Sequence, residues 1–222
     1  MMSTAFIRSV LAGYPEARVD LIVKSGFENI PLPHRGKIIP FDKKQQSAGS
    51  FGKQLRLARY DLFYVLPPSF SSAWMAFQSQ AGVRMGYGGQ FRGWLLHAPL
   101  PDPRKHSEHL TKEYSALLPK ELISEEAPYL EIPSTWAEAQ LKNLKFPIPD
   151  RFLALAPGAI YGPAKQWPVR YYRELTAGLQ EQSISILVLG TSSDATLGEI
   201  ISKNLDRVFN VCGQTSLNQL IA

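Results

Sequence analysis

The stretch DLFYVLPPSFSSAWMAFQSQAGVRMGY, residues 61–87, decides the fold class. Its first part, 61–67, is a near-continuous apolar run, which is typical of a strand buried on both faces of a parallel sheet. A helical pattern with Trp74 on its apolar side follows over 68–82, and 83–87 has the pattern of another strand. This order of strand, helix and strand predicts a parallel, doubly wound α/β sheet.

The same alternation continues on both sides of this stretch, which predicts two α/β units in tandem. The segment KFPIPD, 145–150, has two prolines and no periodicity, so we place a boundary there, between a domain of residues 1–147 and a domain of residues 148–222. Further helices are predicted over 3–14, 53–60, 107–118, 134–144, 168–180, 194–204 and 217–222, and further strands over 18–23, 37–41, 128–133, 152–156, 183–190 and 207–213.

The composition is that of an ordinary globular protein, with 45% hydrophobic and 19% charged residues in a chain of 222. The net charge of +5 would suit an anionic partner, but Lys and Arg are spread along the chain, so we predict no nucleic-acid binding. No apolar run approaches the roughly 20 residues that cross a bilayer. Cys212 is the single cysteine, which suits a reducing compartment and a buried small side chain. A cytoplasmic location is therefore expected.

The strongest candidate for a ligand-binding segment is APGAIYGPAKQWP, residues 156–168, which leaves a predicted strand and enters a predicted helix. Ligands of open α/β sheets usually lie at such junctions, where free amides and the helix dipole favour an anion. Gly158 and Gly162 let the backbone approach a ligand, and Lys165 adds a positive charge. The spacing is not that of a Walker loop, so these residues alone leave open both a phosphate site and a plain structural turn.

This loop also carries a family resemblance. PGAIYGPAKQWP, 157–168, resembles the donor-loop motif of the bacterial ADP-heptose:lipopolysaccharide heptosyltransferases, especially the heptosyltransferase II branch of glycosyltransferase family nine. The resemblance extends over nearly the whole chain, through YDLFYVLPPSFSSAW (60–74), VRMGYGG (83–89), LGTSSD (189–194) and CGQTSLNQ (212–219).

The resemblance implies an α/β fold with two Rossmann-like domains of GT-B type. The sugar acceptor would bind the N-terminal domain and the nucleotide sugar the C-terminal one. The implied reaction transfers heptose from ADP-heptose to the lipopolysaccharide inner core with inversion at the anomeric carbon, and it needs no cofactor. ADP-heptose and the lipopolysaccharide core are thus the expected partners of a monomer in peripheral contact with the cytoplasmic face of the inner membrane.

The resemblance also implies roles for residues on the donor side. Lys165 would contact the donor diphosphate and stabilise the negative charge that builds on the leaving ADP. Gly158 and Ala159 would let the loop approach the donor. Asp194 stands where the family often has an acidic residue that hydrogen-bonds the ribose, and the alternative for Asp194 is a helix N-cap.

On the acceptor side, Ser69 matches the start of a helix beside the cleft, and Arg84 would hold an acceptor phosphate or carboxylate. The structural alternatives are an N-cap for Ser69 and a surface strand arginine for Arg84. His106 and His109 have a helical spacing that two metal ligands could use, but they have no third partner, so no metal site is predicted.

The sequence departs from the family at both ends. The family begins with a strand and a glycine-rich turn whose Asp would act as general base, directly before the helix that here starts at Met1. It also continues past Ala222 into an Asp-Ser-Gly-type donor motif. We therefore expect both domains to be incomplete, the presumed catalytic base to lie before Met1, and the chain to be an inactive or incomplete fragment. The alternative is a non-catalytic nucleotide-binding or scaffold module.

Overall fold

The computed structural model describes residues 2–97, 99–102, 108–124, 126–159 and 162–222. It divides into two compact units, Met1–Glu131 and Ile132–Ala222. The first unit contains the helices α1 (Thr4–Gly13), α2 (Ala48–Leu55), α3 (Phe70–Gln78) and α4 (Leu110–Ser115), and the strands β1 (Leu21–Lys24), β2 (Ile38–Phe41), β3 (Leu62–Val65) and β4 (Val83–Gly86). The second unit contains α5 (Ser134–Leu141), β5 (Phe152–Leu155), α6 (Val169–Glu181), β6 (Ser185–Val188), α7 (Ala195–Ser202), β7 (Val208–Asn210) and α8 (Leu217–Ile221).

All named strands pair in parallel, as the alternation of strand and helix predicts. In the first unit β1 pairs with β2, and β3 pairs with β4. In the second unit the strand order is β5-β6-β7. The stretch 61–87 folds as predicted, into β3, α3 and β4.

Helices cover both faces of the strands in the first unit. On the face of the strands that α1 covers, Phe6 and Val10 pack in a buried cluster with Leu21 of β1 and Tyr64 of β3. The opposite face is a second cluster, in which Phe51 of α2 packs with the strand residues of that side, namely Ile22, Ile39, Phe41 and Phe63. Neighbouring residues of a strand thus point to opposite helical layers, which explains the near-continuous apolar pattern.

The core of the second unit lies around β6, whose four residues are all buried. Ile186 and Val188 pack with Ile201 of α7 and with Val169 of α6. On α6, Leu175 is 38% exposed while Thr176 is fully buried. The Thr176 hydroxyl donates to the carbonyl of Arg173, which satisfies its hydrogen bonding inside the core.

The strand predicted over 128–133 is wrong, because these residues pair with no strand. The carbonyls of Ala127 and Tyr129 instead accept hydrogen bonds from the Arg8 guanidinium, at 3.2 and 3.0 Å. That guanidinium also lies 3.5 Å from the centroid of the Tyr129 ring. A side chain of α1 therefore takes the bonding position that a neighbouring strand would occupy.

Two helix boundaries also differ from the prediction. Helix α2 begins at Ala48, five residues before the predicted start at Lys53, because Ser47 accepts the amide of Ser50 and caps the helix there. Helix α4 is shorter than the predicted 107–118, and His109 caps its start. His106 lies outside the described residues.

The compact units divide after Glu131, ahead of the domain boundary predicted after residue 147. Helix α5 packs against α8 near the end of the chain, which places residues 134–141 with the second unit. The assignment of 1–147 and 148–222 as functional domains stays a prediction.

Candidate functional site

The loop 156–168 lies at the carboxyl end of β5, beside its parallel neighbour β6, and leads into the first turn of α6. Pro168 precedes α6 with no side-chain cap, so the first-turn amides retain the partial positive charge of a helix N-terminus. Pro157 is fully buried and anchors the start of the loop. Ile160 and Tyr161 lie outside the described residues. This placement is the one that the sequence predicts for a ligand-binding loop.

The structure brings together two of the predicted site residues, Gly158 and Asp194. A Cβ atom on Gly158 would lie 2.5 Å from Asp194 Oδ1, so the loop backbone is in direct contact with the carboxylate. Gly190, at the end of β6, makes a similar approach, since its Cβ would lie 2.8 Å from that of Asp194. Glycine at both positions therefore makes room for one acidic side chain between two strand ends.

Thr191 holds the Asp194 carboxylate in this position. Asp194 Oδ2 accepts the Thr191 amide at 2.8 Å and the Thr191 hydroxyl at 2.7 Å, in a capping box at the short 3-10 helix Ser192–Asp194. Asp194 also stands at the N-cap position of α7, but its side chain makes no capping bond to that helix. The N-cap alternative is therefore met only in part. Oδ1, the oxygen nearest to Gly158, accepts no hydrogen bond within the described part of the chain.

Lys165 ends a short 3-10 helix, Pro163–Lys165, four residues before α6 begins. Lys165 is exposed, and its backbone amide donates to the carbonyl of Gly162 at 3.3 Å. Gly162 has φ +100°, a left-handed conformation that glycine adopts without strain. Trp167 stacks on Tyr171 and packs edge-on against Tyr172, which fixes the loop to α6. The lysine is thus carried on a turn that is anchored at both ends.

Cys212 borders the same site. Its side chain is buried as predicted, and its thiol donates to the Val188 carbonyl at 3.5 Å. Burial raises the pKa of the Cys212 thiol, and the charge of Asp194 raises it further. The thiol is therefore held in its neutral form beside the carboxylate.

On the predicted acceptor side, in the first unit, Ser69 performs the capping role named as its alternative. Its hydroxyl accepts the amide of Ser72 at 3.2 Å at the start of α3. The next residue, Phe70, is 46% exposed and stacks on Trp74.

Arg84 is engaged in contacts with its own unit. Its guanidinium donates to the carbonyls of Leu95 and Ala81, both at 2.8 Å, and lies 5.5 Å from the centroid of the Phe77 ring. Phe77 is eight residues beyond Ser69, which is about 12 Å along a helix. The structure therefore does not bring Ser69 and Arg84 together, and the ligand roles predicted for them stay predictions.

Sequence reasoning missed two residues that shape the predicted donor-side site. Thr191 positions Asp194, and its signal was the Thr-x-x-Asp spacing of a capping box within LGTSSD. Asn210 connects β7 to α7, since its side-chain amide donates to the Ala195 carbonyl at 2.9 Å while its oxygen accepts the Cys212 amide at 3.2 Å. An isolated Asn at the end of a strand has no distinctive pattern, so no sequence signal identified it.

The described residues contain no group of three or more His, Cys, Asp or Glu side chains arranged to hold a metal ion. Among their helices, none is long and apolar enough to cross a membrane.

Comparison with known proteins places this geometry in a family. A family model described as glycosyltransferase family 9 (heptosyltransferase) matches residues 48–222. Lipopolysaccharide heptosyltransferase 2 of Escherichia coli K12 is 27% identical over 246 aligned residues, which cover 100% of this chain and 70% of that protein.

Solved structures show the same fold. The structure of E. coli ADP-heptose lipopolysaccharide heptosyltransferase II has a TM-score of 0.82 at 26% identity, covering 99% of this chain and 70% of that one. The E. coli heptosyltransferase WaaC with ADP-2-deoxy-2-fluoro heptose has a TM-score of 0.70 at 17% identity, with 99% and 74% covered, and supports the fold alone.

The parallel α/β units and their likeness to these structures define an α/β protein of the GT-B heptosyltransferase type, which confirms the predicted fold class. The family model covers well over half of the sequence. The chain belongs to glycosyltransferase family 9 (heptosyltransferase), as its motifs predict.

Proposed function

We propose that this protein acts in the transfer of heptose from ADP-heptose to the lipopolysaccharide inner core, with the nucleotide sugar bound at the loop 156–168. The observation that carries the proposal is the contact between Gly158 and the Asp194 carboxylate at the carboxyl ends of β5 and β6. The Asp194 carboxylate beside a loop that precedes a helix N-terminus supports the proposal, because a carboxylate can accept hydrogen bonds from ribose hydroxyls. Family membership supports the same conclusion.

The chemistry assigned to these residues concerns the leaving group. An acceptor hydroxyl attacks the anomeric carbon of the donor sugar, the bond from that carbon to the diphosphate breaks, and ADP leaves with the electron pair. Lys165 and the first-turn amides of α6 would stabilise the charge that develops on ADP. Asp194 Oδ1 would accept a ribose hydroxyl and orient the nucleotide. The proton of the acceptor hydroxyl requires a general base, for which these residues make no provision.

Calorimetric titration with ADP and with ADP-heptose tests the donor site. We expect Lys165→Ala to weaken ADP binding about tenfold, since a charged contact to phosphate contributes about 1.5–3 kcal/mol, reduced by exposure to solvent. The matched control is Lys142→Ala at the exposed end of α5, which leaves affinity unchanged. Equal affinities of the wild type and Lys165→Ala would remove Lys165 from the proposed site.

The second candidate is a nucleotide-binding or scaffold module that does not catalyse transfer. It is favoured by the roles proposed for the site residues, which would serve the donor and the leaving group only. A transfer assay with the 222-residue chain separates the two functions. Binding of ADP without turnover supports the module, whereas turnover supports the transferase and refutes the expectation of an inactive fragment.

We further propose a cytoplasmic monomer in peripheral contact with the inner membrane. Support comes from exposed aromatic side chains of the first unit, with Phe91 93% and Trp94 64% exposed. Aromatic side chains of this kind favour the membrane–water interface. Co-sedimentation with anionic vesicles is expected to weaken for Phe91→Ser/Trp94→Ser, and light scattering should give the mass of one chain.

A further inference from the structure

The Asp194 carboxylate is carried on a continuous helical segment of the second unit. The 3-10 helix Ser192–Asp194 runs directly into α7, which begins at Ala195. The hydrogen bonds that Asp194 accepts from Thr191 lie within this segment. They set the rotamer of the carboxylate, but they move with the segment, so they do not set the distance between the carboxylate and Gly158.

Asn210, the last residue of β7, ties this segment to the sheet. Its side-chain amide donates to the Ala195 carbonyl at 2.9 Å, and its side-chain oxygen accepts the backbone amide of Cys212 at 3.2 Å. A backbone carbonyl can only accept and a backbone amide can only donate, so these two partners give the Asn210 carboxamide a single orientation. Because Ala195 directly follows Asp194, the first of these bonds holds the main chain next to the carboxylate.

Helix α7 makes room for the Asn210 side chain. Gly198 is buried within α7, and a Cβ atom at this position would lie 2.2 Å from Asn210 Oδ1 and 2.5 Å from Asn210 Cγ. Glycine inside a helix lowers the stability of that helix relative to alanine. The close approach of the Asn210 carboxamide therefore explains a glycine that the helix alone does not favour.

We propose that Asn210 is a positioning residue for the nucleotide sugar and that it makes the site selective for ribonucleoside diphosphates over their deoxy analogues. By holding Ala195, Asn210 keeps Oδ1 of Asp194 beside the loop 156–168, where this oxygen can accept a ribose hydroxyl. Asn210 itself does not touch the nucleotide. The inference rests on the ribose role proposed above for Asp194, and it makes that role depend on a residue of a different strand.

Calorimetric titration of the 222-residue chain with ADP and with 2′,3′-dideoxy-ADP tests the inference, because the second nucleotide lacks both ribose hydroxyls. We expect the wild type to bind ADP about tenfold more tightly, which is the effect of one hydrogen bond to a charged group that is partly screened by solvent. In Asn210→Ala we expect the ratio of the two affinities to fall below about threefold, since the carboxylate is no longer held beside the loop. A residue needed only for stability would weaken both nucleotides by the same factor and leave this ratio unchanged.

Two further variants separate positioning from general support of the fold. Gly198→Ala pushes the carboxamide away without altering Asn210 or Asp194, so it should lower the ratio as Asn210→Ala does. In an Asn210→Ala background, Gly198→Ala should leave the ratio unchanged, because the side chain that it displaces is gone. The matched control is Gln214→Ala, which removes a hydrogen bond of 2.9 Å to the backbone carbonyl of Asn210 and leaves the bond to Ala195 intact. This control should bind the two nucleotides with the wild-type ratio.

The outcomes distinguish this inference from the proposed function. If the wild type discriminates between the nucleotides and Asn210→Ala discriminates equally, Asn210 does not position the carboxylate, and the ribose role of Asp194 stands. If circular dichroism shows Asn210→Ala to be unfolded, Gly198→Ala decides the question by the same ratio. If the wild type binds both nucleotides equally, or binds neither, the ribose role of Asp194 fails and this inference fails with it. Loss of discrimination in Gln214→Ala as well would reduce Asn210 to a general support of β7 and would overturn the inference.

Discussion

Replacing Gly158 by alanine tests the contact on which the proposed donor site depends. The new Cβ atom would lie 2.5 Å from Asp194 Oδ1 and 2.6 Å from its Cγ, both well inside van der Waals contact. The loop backbone is held by the buried Pro157, so the carboxylate is the group that must move. Its movement breaks the hydrogen bonds that Oδ2 accepts from the amide and hydroxyl of Thr191.

The magnitude follows from those two bonds. Each hydrogen bond to a charged group contributes about 1.5–3 kcal/mol, and water partly replaces both because Asp194 is only half-buried. We therefore expect Gly158→Ala to lower the free energy of unfolding by about 2 kcal/mol. Binding of ADP should weaken in parallel, because the displaced carboxylate no longer faces the loop.

Urea unfolding followed by circular dichroism measures the first effect, and calorimetric titration with ADP measures the second. The matched control is Gly178→Ala inside α6, where nothing lies within 4 Å of the new Cβ atom, and there alanine should stabilise by about 1 kcal/mol. In an Asp194→Ala background the effect of Gly158→Ala should shrink below about 0.5 kcal/mol, since the clash is gone. If Gly158→Ala lowered the free energy of unfolding equally in the wild-type and Asp194→Ala backgrounds, the reasoning would be refuted.

Three further predictions concern other parts of the molecule. Burial of Asp20 opposes ionisation, but hydrogen bonds from Arg18, Tyr60 and the Lys37 amide outweigh it and lower the pKa of Asp20 to about 2. The contribution of Asp20 to the stability of the fold is therefore complete above about pH 4 and is lost as the pH falls towards 2. Acid unfolding of Asp20→Asn should lack this component. Because its pKa is raised and its side chain is buried, Cys212 should react with a thiol reagent at pH 8 far more slowly in the folded chain than in urea, and equal rates would contradict the site geometry. Arg84→Ala should lower the free energy of unfolding by about 1–3 kcal/mol by removing two bonds to backbone carbonyls, whereas a change within about 0.5 kcal/mol would make it an ordinary surface arginine.

The parts of the fold that were predictable are those with a local signal. The stretch 61–87 contains its strand, helix and strand in consecutive patterns, and the structure places them at 62–65, 70–78 and 83–86. The segment 128–133 has a similar apolar pattern but forms no strand, and Arg8, more than 100 residues away, bonds the carbonyls of Ala127 and Tyr129. The periodicity of apolar residues indicates how a segment can be buried. It does not indicate which group will form hydrogen bonds with the backbone of that segment.

The candidate site, too, was predictable only where the sequence has a local signal. Sequence located the loop 156–168 and singled out Gly158, Lys165 and Asp194, because glycine, lysine and a capping carboxylate have recognisable chemistry and spacing. It could not show that Gly158 touches Asp194, since 36 residues separate them and the contact exists only because β5 and β6 are neighbours. For Arg84 the residue type suggested an anion ligand, and only the packing of β4 against Phe77 revealed its bonds to the chain itself.

By itself, the sequence determined the α/β class, the family and the position of the loop 156–168, because these depend on periodicity and on motifs within short stretches. The tertiary structure alone decided that Asp194 lies against the loop, that Thr191 holds it there, and that β1 pairs with β2 and β3 with β4. The physical reason is that contacts between distant residues depend on strand order and side-chain reach, which no local pattern encodes.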